Sequence, residues 1–260
     1  MKIFKGKSVL VTGHTGFKGS WLTAWLNELG SNVTGIALDP PTEPSHFMAA
    51  RIEYGIQDFR IDLRDREAVK HSIQKVKPDF LFHLAAQPLV RLSYSDPAVT
   101  YATNVMGTLH VLEALKELDN HCVAVLITSD KCYDNVEWVW GYRETDRLGG
   151  QDPYSASKGA AELVIRSHVC SFFPKEGNIR IGIGRAGNVI GGGDWAEDRI
   201  IPDCVRAWSK GEQVPLRNPF ATRPWQHVLE PLSGYLKLAI ELSKKNQLHG
   251  EPFNFGPPAH

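Results

Sequence analysis

Tyr154 and Lys158 stand four residues apart in Tyr-Ser-Ala-Ser-Lys, and Ser129-Asp130-Lys131 closes an apolar run over 123–128. On one helix face a lysine at that spacing lies beside the phenol, favours its ionised form and makes it a usable base near neutrality. A phenolate base is what the oxidation of an alcohol needs. The second cluster suggests an elimination apparatus beside that oxidation site. Tyr-x-x-x-Lys alone occurs by chance in many helices, so its weight comes from its companions.

Short β-branched runs alternate with longer helix-periodic segments, and these must hold the two clusters. The runs fall at 8–12, 32–38, 80–83, 123–128 and 180–184, with helices expected over 18–29, 66–76, 97–118 and 153–172. Strands apolar on both faces and separated by helices imply a parallel sheet covered on both sides, joined by right-handed crossovers. The fold class is therefore α/β, a doubly wound Rossmann-type sheet. After Gly184 the texture turns to Gly187-Asn-Val-Ile-Gly-Gly-Gly-Asp-Trp195, then a helix over 200–210 and a polar loop near Arg217. The chain thus divides into a dinucleotide-binding domain, 1–185, and a smaller substrate-binding region, 186–260. Phe253-Asn-Phe-Gly-Pro-Pro258 reads as one more strand and turn.

Composition narrows the classes. A chain of 260 residues, 42% of them hydrophobic, can bury a sizeable core. With 29 basic and 29 acidic residues the net charge is zero, so nothing favours nucleic acid or an anionic membrane surface. The four cysteines form no Cys-x-x-Cys pair, the histidines lack ligand spacing, no apolar run reaches membrane length, and no leader is expected from Met1-Lys-Ile-Phe-Lys-Gly-Lys7. A cytoplasmic protein without a metal site is expected.

Val9-Leu-Val-Thr-Gly13-His14-Thr-Gly16-Phe17-Lys18-Gly19 follows a strand and opens a helix. Its glycines allow a tight turn and close approach to a pyrophosphate, which the helix N-terminus stabilises. Asp39 closes the next strand twenty residues beyond Gly19. A carboxylate there would bond an adenine-ribose 2′-hydroxyl and repel a 2′-phosphate, so NAD is expected over NADP. Asp62, followed by Leu63, could bond the adenine amino group or cap the helix starting near Arg66. In His83-Leu84-Ala85-Ala86-Gln87 the small residues could admit the nicotinamide ribose or merely economise packing.

Thr12-Gly-x-x-Gly-x-x-Gly19, Asp62-x-Arg-Asp65, His83-x-Ala-Ala86, Asn104-x-x-Gly-Thr108 and Tyr154-x-x-x-Lys158 resemble the extended short-chain dehydrogenase/reductase family. Within it, Gly13-His-Thr-Gly-Phe-Lys-Gly-Ser-Trp21, Ser129-Asp-Lys-Cys-Tyr133 and Arg223-Pro-Trp-Gln-His-Val228 most resemble the CDP-glucose 4,6-dehydratases, which make 4-keto-6-deoxy sugar nucleotides for bacterial surface polysaccharide. Nucleotide-sugar dehydratases generally carry Thr-Asp-Glu where this chain has Ser129-Asp130-Lys131. The chain is also shorter than such proteins, so region 186–260 is expected to be C-terminally truncated relative to the family.

The resemblance implies that Tyr154 takes the proton of the sugar 4-hydroxyl, Lys158 holds Tyr154 and the nicotinamide ribose, and Ser129 bonds the same 4-oxygen. Asp130 would be the acid that expels the 6-hydroxyl, and Lys131 the base at C5 or a cation that only stabilises the enolate. Gly13, His14, Gly16, Phe17, Lys18, Gly19, Asp39, Asp62, Leu63, Leu84, Ala85 and Ala86 would contact NAD. Gln87, Asn188 and Arg223 would hold the nucleotide sugar, with Arg199 and Arg91 as weaker choices. The helices over 97–118 and 153–172 carry apolar residues beyond one face and resemble a pair that forms a homodimer, or a tetramer of such pairs. Alternatives are a dehydratase for another nucleotide sugar, a UDP-glucose-type 4-epimerase and a regulatory protein that only binds NAD.

Overall fold

A computed structural model describes residues 1–216, 220 and 223–257; the loop near Arg217 lies outside the described residues. In chain order the elements are β1 (Ser8–Thr12), α1 (Phe17–Glu28), β2 (Asn32–Ala37), α2 (His46–Ala49), β3 (Gln57–Arg60), α3 (Arg66–Val76) and β4 (Phe80–His83). Then come α4 (Val90–Ser95), α5 (Pro97–Tyr101), α6 (Gly107–Lys116), β5 (Cys122–Ile127), α7 (Pro153–Phe172) and β6 (Ile179–Ala186). The remainder is β7 (Val189–Ile190), α8 (Ile200–Ser209), β8 (Gln226–His227), α9 (Leu229–Leu242) and β9 (Pro252–Phe255).

Seven strands form one sheet in the order β3-β2-β1-β4-β5-β6-β9, all parallel, with β7 and β8 paired separately. Alternation along each strand sends Val9, Val11, Val123, Val125 and Ile127 to one face, against α1 and α9. Leu10, Ala124, Leu126, Ile181 and Ile183 go to the other, against α3, α6 and α7. The strand order reverses between β1 and β4, so a crevice opens at their carboxyl ends. Core packing runs across residue 185, for Ala186, Val189 and Val228 share the cluster of Val9 and Val11.

Sequence signals account for several helix starts. Asp65, Asp96 and Asp152 cap α3, α5 and α7 by accepting the N–H of Ala68, Val99 and Ser155, and Pro97 and Pro153 occupy first-turn positions. The helix expected over 97–118 instead contains a π-helical turn, Ala102–Met106, between α5 and α6. Periodicity cannot register one extra residue in a turn, and such bulges often mark functional sites. α9 is a further helix, in which Leu229, Leu232, Leu236, Ala239 and Leu242 repeat at helical spacing. No described helix is long and apolar enough to cross a membrane.

Candidate active site

The β1–α1 loop is shaped by its backbone. Gly13 has φ +76°, and a Cβ there would sit 2.7 Å from the Ala85 backbone. Gly16 is the N-cap of α1 and supplies no side-chain cap, so the first-turn N–H groups lack an intrahelical partner. A Cβ on Gly19 would overlap the Gly13 carbonyl oxygen. Ala85 N–H donates to Thr12 Oγ1 at 3.2 Å, which bonds His83 Nδ1 at 2.8 Å; His83 Nε2 in turn meets Thr108 Oγ1 at 3.1 Å. Thr108 gives its own proton to the Asn104 carbonyl, so His83 must carry its hydrogen on Nε2. Burial, with Lys158 nearby, holds His83 neutral by pulling it down to about 3. This side-chain-poor cradle fits a dinucleotide pyrophosphate and ribose.

The other residues expected around the cofactor spread along this crevice. Asp39 is 90% exposed at the tip of β2, 3.6 Å from Arg60 Nε. The Arg60 guanidinium is itself engaged by Asp58 and the Leu38 carbonyl. Arg64 grips Asp62, which holds that carboxyl below its ordinary range; the cap of α3 is Asp65. Leu63 is buried against Gly107, with its carbonyl accepting from His110 Nδ1. Leu84 and Ala86 are partly exposed beside Ala85. His14 turns away from the crevice: it is fully buried, bonds Asp58 at 2.8 Å, stands edge-on to Phe47 and fills the space over Gly35. Phe17 packs at Gly191. Burial pulls the Lys18 ammonium down to about 8, against the attraction of Asp130.

At the end of β5 the chain bends into a single 3₁₀ turn, Asp130–Cys132, for which Ser129 is the N-cap, accepting from Lys131 N–H. Ser129 Oγ donates to Asp130 Oδ1 at 2.9 Å. Tyr154, in the first turn of α7, reaches the same place. Burial pushes its phenol up to about 12; the hydrogen bond from Ser129 opposes this, and the charge of Asp130 adds to it. Lys158 is buried one turn further on, and desolvation pulls it down to about 8. The lowered phenol expected from the Tyr-Lys spacing is therefore not the balance here: burial outweighs every charge that acts on Tyr154. Among the described residues neither the Lys158 nor the Lys131 ammonium has a hydrogen-bond partner.

Sequence reasoning missed the network behind this turn. Arg185 and Glu162, each 4% exposed, form a bidentate pair at 2.9 and 2.8 Å. Thr128 donates to Glu162, Arg185 donates to the Tyr133 hydroxyl at 2.8 Å, and Tyr133 donates to Asn254 at 2.7 Å. The network ties β5, α7, β6 and β9 together around Ser129–Tyr133. A glutamate four residues after Lys158, facing a strand arginine, was the available signal. Asn104, in the π turn, bonds both the Gln87 backbone and Ser157, joining the β4 loop to α7.

Of the expected substrate contacts, Arg199 arrives at the head of α8 paired with Asp194 at 3.1 Å, and its charge is felt at Tyr154 and Lys18. Asn188 lies between β6 and β7, partly exposed. Gln87 turns its amide inward onto Leu89 and Thr100. Arg223 is exposed before β8, and Arg91 pairs with Asp198 at 3.0 Å. No group of three or more His, Cys, Asp or Glu side chains converges among the described residues.

A parallel nucleotide-binding sheet with a glycine loop after β1 and a Tyr-x-x-x-Lys helix beside a Ser-Asp-Lys strand end defines a short-chain dehydrogenase/reductase of the extended kind. The family model described as GDP-mannose 4,6 dehydratase matches residues 10–247. The CDP-glucose 4,6-dehydratase of Salmonella typhimurium is 55% identical over 98% of this chain and 72% of that protein. The dTDP-glucose 4,6-dehydratase of Streptomyces griseus is 29% identical over 95% and 73%. Among solved structures, the dTDP-glucose 4,6-dehydratase of Streptomyces venezuelae with NAD and DAU bound superposes with a TM-score of 0.81 at 23% identity, covering 96% of this chain and 76% of that one. The UDP-glucose 4-epimerase of Thermotoga maritima gives 0.82 at 23%, covering 95% and 76%, so dehydratases and epimerases share the fold. The chain belongs to the GDP-mannose 4,6 dehydratase family of nucleotide-sugar dehydratases.

Proposed function

We propose that the chain is a hydro-lyase that converts CDP-D-glucose to CDP-4-dehydro-6-deoxy-D-glucose with NAD as a recycled cofactor. The observation that carries this reading is the meeting of the Ser129–Asp130 turn with Tyr154, which sets a candidate oxidation base beside a candidate acid at the end of β5. The relative at 55% identity supports CDP-glucose as the substrate. NAD, when bound, supplies the acceptor for the C4 hydride and its return to C6. The glycine loop and the first turn of α1 would hold its pyrophosphate, Asp39 the adenine ribose, and Lys158 with Ala85 and Ala86 the other ribose.

Tyr154 takes the proton of the 4-hydroxyl while Ser129 donates to the same oxygen, where charge develops. The resulting 4-ketone acidifies the C5 proton. Lys131 removes that proton, and Asp130 protonates the 6-oxygen, which departs as water. Arg199, Arg223 and Asn188 grip the diphosphate and nucleotide, with residues 186–260 as the substrate-binding region. Exposed Tyr101, Met106, Leu163 and Phe172 on α5, the π turn and α7 support a homodimer built on these helices, working in the cytoplasm. Incubation with a panel of nucleoside diphosphate glucoses in deuterated water, followed by NMR, tests the reading. Deuterium at C5 with loss of the 6-hydroxyl is expected, fastest for CDP-glucose. A product changed only in its C4 configuration would replace it with a 4-epimerase, and cofactor binding without turnover would favour a regulatory protein.

A further inference from the structure

Tyr235 heads the large side chains that are fully buried, yet its hydroxyl has no hydrogen-bond partner among the described residues. A buried hydroxyl left unpaired is costly and needs a reason. Its ring stands edge-on to Phe255, centroids 5.3 Å apart, and covers Gly184, where a Cβ would lie 3.0 Å from Tyr235 Cε1. Three residues on, a Cβ at Gly187 would lie 3.4 Å from Asp130 Oδ2. The Tyr235 ring on α9 thus lies over Gly184 near the end of β6, and the Asp130 carboxyl lies by Gly187 just beyond it. Burial first, then the charges of Asp130 and Tyr154, hold the Tyr235 phenol well above the tyrosine range, so it remains a neutral donor.

Asp130 takes its side-chain hydrogen bond from Ser129. Ser129 has one proton, and the same hydroxyl bonds the Tyr154 phenol, beside which the reacting oxygen must sit. One donor cannot serve the carboxyl and the sugar oxygen together. We propose that Tyr235 is a positioning residue: when Ser129 turns to the 4-oxygen, the orphan hydroxyl of Tyr235 becomes the donor to Asp130 and keeps that acid aimed for dehydration. This rests on the dehydratase reading above. The groups facing Asp130 are Lys18 from α1, Cys132 on its own turn, Tyr154 from α7 and Tyr235 from α9.

The test is Tyr235→Phe in the NAD-loaded protein with CDP-glucose, alone and combined with Asp130→Asn. The variant deletes only an unpaired oxygen, so its thermal midpoint should equal or exceed the parent's. Reduced-cofactor absorbance in a single turnover should show C4 oxidation at the parent's rate, while release of water slows roughly 10- to 100-fold. The alkaline limb of the elimination rate should move to higher pH, because a carboxylate that loses a donor keeps its proton longer. In the Asp130→Asn background Tyr235→Phe should change nothing further. Elimination at the parent's rate and pH profile, or equal slowing of oxidation and elimination, overturns the inference. A parent that never releases water sinks the dehydratase reading itself, and this inference with it.

Discussion

At the β1–α1 loop the geometry comes from side chains that are missing, with Gly13 against Ala85 and Gly19 against Gly13. At the end of β5 it comes from side chains that are present and mutually bonded, from Ser129 and Asp130 to the buried Arg185–Glu162 pair. The two regions adjoin at Lys18 of α1, whose ammonium feels the charge of Asp130 in the turn. The difference teaches where each is vulnerable. The loop tolerates changes of charge but not of volume, whereas the turn tolerates isosteres in shape and fails when a proton or charge is misplaced.

The largest separation of the two regions should come from Tyr154→Phe. C4 oxidation should fall about 10²- to 10⁴-fold with NAD affinity unchanged, measured by turnover and by cofactor titration. Weaker cofactor binding of similar size would mean that the regions are not separable. Arg185→Met leaves a carboxylate buried without its partner and should cost about 3–5 kcal/mol in chemical denaturation. Glu162→Leu added to it should restore most of that loss, since a buried ion pair and an apolar pair of similar volume differ little. Continued destabilisation in the double variant would show that Thr128 and Tyr133 need the charges themselves.

Gly19→Ala acts on the loop. Its methyl would overlap the Gly13 carbonyl, so a cost of about 1–3 kcal/mol and a loss of NAD affinity are expected, with the Tyr154 chemistry intact in cofactor-saturated protein. Ser129→Ala acts on the turn. It removes a hydrogen bond that lowers the Tyr154 pKa, so the phenol gives up its proton less readily, and the rising limb of C4 oxidation should shift to higher pH. A shift to lower pH would reverse the assigned sign. The smallest effect is expected at exposed Asp39: Asp39→Asn should narrow the preference for NAD over NADP by about 1 kcal/mol, read from the ratio of dissociation constants.

The same contrast explains what was legible beforehand. Turn and cap residues announce themselves locally, so β1, α3, β4 and α7 fell where Gly13, Asp65 and Pro153 placed them. Ser129, Asp130, Tyr154 and Lys158 stood out as candidates because residue type came with position, the first two at a strand end and the others one turn apart on a helix, and the structure sets Ser129 and Asp130 close to Tyr154. Asn104 sat inside a recognised motif, but its π turn depends on partners at Gln87 and Ser157, distant in sequence. Arg185–Glu162 joins a strand to a helix 23 residues away: a glutamate one turn after Lys158 is visible in the sequence, but which arginine it meets is not. His14 shows the converse: a loop position suggested the crevice, while its bond to Asp58 and the space over Gly35 drew the ring into the interior. Tyr235 reads from sequence only as a core aromatic, and its unpaired hydroxyl is visible only in the structure.

Central to the account is that one hydrogen leaves C4 and comes back at C6 of the same sugar. CDP-glucose deuterated at C4, turned over with NAD in ordinary water, should give a 6-deoxy product with the label in its C6 methyl group. Label lost to solvent, or found again at C4, would contradict it.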